Sequence, residues 1–225
     1  MAIDDQKQIN QSVARITRNL IESDLGIQDS IARDYANISG IARLLKPKIE
    51  KMGISEVNED AIITAVKRIV PKYTSINNEI TDVIAKSDIN VRTGVAKLSV
   101  KKNDRNQENI QNVILKNNEE FIQISEATSA LTIIYSERLR EKLLKIFNKS
   151  EILEDSNDLA AIIVHSPIEV ISVPGFVFTI YGQVAKRQIN IEDTFSCFTD
   201  TIIVVKTKDV AMTFSVLNEL FDDSR

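Results

Sequence analysis

Two stretches of this chain repeat one order of elements, strand-helix-strand-strand-helix, and that order leaves few architectures open. The later stretch reads Leu159-Ala160-Ala161-Ile162-Ile163-Val164, then Val173-Pro174-Gly175 opening a helical pattern. Ile189-Asn190-Ile191 then opens a strand, and Asp200-Thr201-Ile202-Ile203-Val204-Val205 precedes a closing helix. In the earlier stretch, Val91, Val95, Leu98 and Val100 predict a strand interrupted at Gly94, and Ile110, Val113 and Ile114 share one helical face. Phe121-Ile122-Gln123-Ile124-Ser125 alternates like a half-buried strand, Ala130 to Tyr135 reads as a buried one, and Glu137 to Asn148 closes as a helix with Leu139, Leu143, Leu144 and Phe147 inward. Residues 88–150 and 159–221 thus share their order of elements and little residue identity. The expected class is α+β.

The first third is helical throughout. Val13, Ile16, Leu20 and Ile21 recur at helical spacing between Ile9 and Asp24, with Gly26 as the expected stop, and a second periodic stretch runs from Ile27 to Tyr35. A third runs from Ile38 to Met52 with Ile41, Leu44, Leu45 and Ile49 as its core face and Gly53 as its cap. Asn58 is a good N-cap for a fourth, with Glu59 and Asp60 in the first turn, Ile62, Ile63, Val66 and Ile69 inward, and Pro71 as its expected end. Ile76, Ile80, Val83 and Ile84 then predict a connecting helix.

Composition excludes several kinds of chemistry. His165 and Cys197 are the chain's single His and single Cys, so it cannot assemble a disulfide framework, a Cys-based metal cluster or a multi-histidine site alone. No Gly-rich phosphate loop and no Ser-His-Asp set stands out, and the acidic pairs Asp4-Asp5, Glu59-Asp60 and Asp222-Asp223 read as solvated faces and tails. The chain is therefore expected to be non-catalytic, with no catalytic residue, cofactor or metal. It lacks an apolar run near membrane-spanning length and a leader pattern after Met1-Ala2-Ile3, so a cytoplasmic protein with no membrane partner is expected. Residues 151–225 carry 5 Lys+Arg against 12 Asp+Glu, a balance a phosphate backbone would repel. Any nucleic-acid contact would have to come from the earlier residues.

Two resemblances follow from these patterns. The β-Pro-Gly-α-β-β-α order of the last third resembles the ACT domain, the small regulatory module attached to amino-acid-biosynthetic enzymes and regulators. The two stretches in tandem are similar to the paired ACT module at the C-terminus of aspartate kinases. The resemblance implies ferredoxin-like βαββα units and an amino-acid effector held across a dimer interface by backbone N–H groups at the loop-to-helix junction and a polar residue at the second strand. The corresponding positions are Val173, Gly175, Phe176, Val177 and Asn190. Helix N-terminal amides suit a carboxylate. The apolar loop residues Pro167, Ile168, Val170 and Ile171 point either to an apolar effector such as a branched-chain amino acid or to a protein contact. With only Asp222-Asp223-Ser224-Arg225 after the closing helical pattern, the later unit is expected to lack a final strand, which Ser150–Asp158 or the strand near Val91 could supply. Within the helical third, Gln28 to Pro47 is similar to a helix-turn-helix, with Ile31, Ala32, Ala42 and Leu45 inward and Tyr35 packing near the end of the first helix. Ser39, Arg43 and Lys46 would then face DNA. Ala36 and Asn37 depart from the pattern at the turn, and a plain four-helix domain for dimerisation or docking fits the same residues.

The expected organisation is a helical domain over 1–73, of helix-turn-helix or plain type, a connecting helix over 74–87, an ACT-like unit over 88–158 and a second over 159–225. The function this implies is regulatory: an ACT-like module senses a small molecule, expected to be an amino acid, and signals to the helical domain. Expected partners are further copies of the chain, through the ACT-like units, and either DNA or an amino-acid-biosynthetic enzyme. In the alternative the chain is a regulatory subunit that controls such an enzyme without touching DNA.

Overall fold

Hydrophobic stripes at helical spacing build the first of two compact units, which ends at Thr81, and alternating strands build the second, Asp82–Arg225. The computed structural model describes residues 13–54 and 56–225, with the backbone alone for 74–77. The expected helix start at Ile9 and the Asp4-Asp5 pair lie outside the described residues, as does the side chain of Ile76.

In the first unit, helix α1 (13–22) is followed by α2 (Leu25–Ala32), α3 (Ile38–Lys51) and α4 (Glu59–Ala85). Val13, Ile21, Ile27, Ile31, Ala42, Leu45, Ile49, Ile62 and Val66 form a common core. Gly26 does not end the first helix. Asp24 does, because its Oδ1 accepts from the amides of Gly26 and Ile27 (3.1 and 3.2 Å) and so caps α2, leaving Gly26 in that helix's first turn. Gly53, at φ 98°, closes α3 as its spacing predicts. Asn58 caps α4 through Asp60 N at 2.9 Å. Pro71, however, does not stop α4, which runs through it to Ala85. The ring stands on the exposed side while Ile69 and Tyr73 remain buried on the other. Burial along that stripe outweighs the one backbone bond that a proline removes. No connecting helix therefore begins at residue 74.

The second unit runs β1 (Asp88–Lys101), α5 (Asp104–Lys116), β2 (Ile122–Glu126), β3 (Ala130–Ser136) and α6 (Arg140–Ile146), then β4 (Ile152–His165), α7 (Phe176–Lys186), β5 (Asp193–Cys197), β6 (Asp200–Lys206) and α8 (Val210–Ser224). The strands form one antiparallel sheet in the order β2-β3-β1-β4-β6-β5. Ala96, Leu98, Val100, Ile133 and Tyr135 pack with Ile110 and Val113 of α5 and Leu143 of α6. Phe176, Ile180 and Val184 are the buried face of α7, and Val216, Leu217 and Phe221 that of α8, the helix packed beside it.

The long strands β1 and β4 tie the two repeats together. The first half of β1 pairs with the second half of β4 (Val91↔Ile162), and the second half of β1 with the first half of β4 (Leu98↔Asp155). Ile152–Asp155 thus lies beside the earlier repeat's first strand, and Asp88–Arg92 beside the later one's, so each repeat completes its sheet with a strand half from the other. A division at residue 158 falls inside β4, where Asp158 (φ 58°) and its counterpart Gly94 (φ 65°) form irregularities in the two long strands. No described helix is long and apolar enough to cross a membrane.

Candidate effector site

The β4–α7 connection begins at His165, whose Nδ1 lies 2.8 Å from Asp200 Oδ1, and Ser166 N donates to Thr199 O at 3.1 Å. A short 3-10 helix, Ile168–Ser172, then carries the chain to Val173-Pro174-Gly175. Gly175 has φ 94°, a left-handed conformation that favours glycine, and no side chain caps the helix it opens. Its carbonyl accepts both the amide and the hydroxyl of Thr179, at 2.9 and 3.1 Å. Phe176 anchors the turn from inside the core, whereas Val177 is exposed beside Phe178. Helical rotation explains the difference: with Phe176, Ile180 and Val184 buried, the next position points outward.

The corresponding junction of the earlier repeat is built differently. Asn103 caps α5, its Oδ1 accepting from Asn106 N at 2.9 Å, and Asn106 Nδ2 donates to Lys101 O at 2.8 Å. One of α5's first-turn amides is therefore already satisfied by the chain itself, while α7 starts without such a cap.

Asn190 lies elsewhere. The segment Ile189-Asn190-Ile191 opens no strand, because it serves to end α7: Gln188 takes φ 57° and donates to Ala185 O at 2.9 Å, while Ile189 N reaches Val184 O at 3.4 Å. This is a Schellman closure. Strand pairing resumes at Glu192 N, 2.8 Å from Val204 O, with β5 starting at Asp193. Asn190 Nδ2 donates to Glu192 Oε1 at 3.1 Å. Val173, Gly175, Phe176 and Val177 thus meet at one end of α7 and Asn190 at the other, roughly 16 Å away for an 11-residue helix.

Lys97, which sequence patterning did not single out, fixes the Asn190 end. Its Nζ lies 3.0 Å from Glu154 and 3.4 Å from Asp193 and donates to Glu192 O at 3.1 Å. Burial alone would lower its pKa, but the hydrogen bonds and charges of Glu154 and Asp193 raise it above the ordinary value. The one sequence signal is a lysine set between the apolar residues Val95-Ala96 and Leu98 of β1.

On α3, Ser39, Arg43 and Lys46 share one face, and Arg43 stands 3.9 Å from Glu59. Arg33 is held by Asp29 at 2.8 Å. Tyr35 does not pack inward. It is exposed, its hydroxyl 2.9 Å from Asp29, because the left-handed turn residue is Asp34 (φ 59°) rather than Ala36. Leu44, assigned to the core face, is 52% exposed, since Ile41, Leu45 and Ile49 fill that face without it.

No family model matches the sequence, and no curated protein matches it either. Solved structures do. One of aspartokinase alpha and beta subunits is 14% identical, covering 60% of this chain and 97% of that one with a TM-score of 0.50. The aspartate kinase of Synechocystis is 12% identical, covering 61% of this chain but only 27% of its own, with a TM-score of 0.51. At such identities the likeness is one of fold: mixed helices and antiparallel sheet forming an ACT-like module.

Proposed function

We propose that this chain is a non-catalytic regulatory protein whose two ferredoxin-like units form an amino-acid sensor, acting on a biosynthetic enzyme through protein contact. The uncapped start of α7 behind Gly175, set against the self-capped start of α5, is the observation that carries this reading. A carboxylate on the amides of Phe176 and Val177 would take the place of the missing cap. Ile168, Ile171 and Phe178, all exposed around the junction, suit an apolar effector side chain. Asn190 can offer its amide carbonyl to an ammonium, but one effector reaches both ends of α7 only if Asn190 comes from a second copy. The sensor is therefore a homo-oligomer with its sites between copies. For the helical unit, Arg33 and Arg43 have carboxylates close by and Leu44 and Met52 are exposed, which favours docking to a protein over reading DNA with Ser39, Arg43 and Lys46.

A thermal-shift screen against the twenty amino acids, followed by calorimetry on Gly175→Val and Asn190→Ala, tests the sensor. Both variants should lose affinity for the effector found. Undiminished binding in both, with both folded, would move the site elsewhere. Salt-sensitive binding to genomic fragments that Arg43→Glu abolishes would replace the enzyme-docking part with DNA recognition.

A further inference from the structure

The cleft between α5 and α6 carries a second kind of recognition. It has a volume of about 690 Å3, within the range of small-molecule sites, and its walls hold Lys116, Arg138, Lys142 and Lys145 against the single carboxylate of Glu141. Four cations converge on one concavity in a chain whose net charge is −4. We propose that this cleft binds a small polyanion bearing two or more phosphate or carboxylate groups.

The side chains are arranged for that task to different degrees. Lys142 is preset: its Nζ donates to Asn117 Oδ1 at 3.0 Å, and the Asn117 amide is itself fixed on Val113 O at 2.7 Å. An ammonium has three protons, so this bond leaves two for a ligand. Arg138 is balanced by Glu120 at 2.7 Å and shapes the cleft more than it charges it. Lys116 and Lys145 have no ion-pair partner among the described residues and are exposed, so their charge is open to an incoming anion. Helix-dipole compensation accounts for part of this pattern, because Lys116 and Lys145 stand in the last turns of α5 and α6. It does not account for Lys142. Nor does it account for the contrast with the later repeat, where α8 contains no lysine or arginine and Arg187 is already engaged by Glu219 at 3.5 Å. The second helix is thus basic in the earlier repeat and free of lysine and arginine in the later one, as expected for a site rather than for a requirement of the fold.

Calorimetric titration of the full chain with inorganic pyrophosphate and, separately, with citrate at fixed ionic strength tests this assignment. The parent should bind at least one probe saturably, at one site per chain. Lys116→Gln/Lys145→Gln should weaken that binding by about tenfold, two charge-assisted contacts being lost. Lys186→Gln/Arg187→Gln, the same change of net charge made on α7, should leave it unchanged. The tighter probe tells whether phosphate or carboxylate is the natural group. Equal weakening in both double variants, or no saturable heat from either probe, overturns the proposal.

Discussion

Replacing Lys97 with methionine removes the cation that joins β1 to β4 and β5 while keeping an unbranched side chain in its place. The Lys97 side chain is 11% exposed, and its partners Glu154 and Asp193 are 40% and 24% exposed. Breaking a fully buried pair by deleting one partner costs ~3–5 kcal/mol, because the other charge stays behind without compensation. Solvent at the two carboxylates screens part of that charge, which brings the expected loss to about 2 kcal/mol. In thermal unfolding this corresponds to roughly 4–8 °C for a chain of this size. Neutralising the stranded acids as well, in Lys97→Met/Glu154→Gln/Asp193→Asn, should recover most of the loss, since the amides can still hydrogen-bond. The raised lysine pKa adds a pH signature: the contribution is complete below 10.5 and lost as pH rises through the folded value above it. Urea unfolding of parent, single and triple variants at neutral and alkaline pH reads all of this. A single variant within ~0.5 kcal/mol of the parent, or a triple variant no better than the single, would refute the account.

Two further outcomes follow from the sheet. Gly94→Val should cost about 1–2 kcal/mol in urea unfolding, because no atom crowds the position and the left-handed backbone alone resists a β-branched residue. Gly94→Asp should cost much less, as Asp158 already takes that conformation in β4. Tyr135 is fully buried, its hydroxyl has no partner, and burial, reinforced by the charge of Asp155, raises its pKa to about 12. The unfolded chain releases that proton earlier, so Tyr135 makes stability fall between pH 10 and 12; Tyr135→Phe should remove a loss of about 2–3 kcal/mol over that range and leave neutral stability unchanged or higher.

Local signals carried most elements because they depend on neighbours in the chain. The stripe Ile41, Leu45, Ile49 and the caps at Asn58 and Gly53 work within one turn and could be read directly. Pro71 could not, since whether a helix survives a proline depends on what its opposite face buries. Ile189-Asn190-Ile191 reads as a strand by β-propensity, yet Gln188 in a left-handed conformation, uncommon for a non-glycine residue, commits those residues to closing α7. Leu44 reads as inward because an apolar residue beside a buried stripe can face either way until the packing of its neighbours is known. Lys97 was illegible for the opposite reason, its partners lying 57 and 96 residues away along the chain.

The exchange of strand halves between β1 and β4 gives the two repeats a shared fate. Because Asp88–Arg92 serves the later repeat and Ile152–Asp155 the earlier, neither can open without breaking pairs in the other. Lys97 carries the same constraint to the loop bearing Asn190, by way of the Glu192 carbonyl. The two repeats differ at the start of their first helices: α7 opens behind Gly175 without a side-chain acceptor for its first amides, whereas Asn103 supplies one to α5.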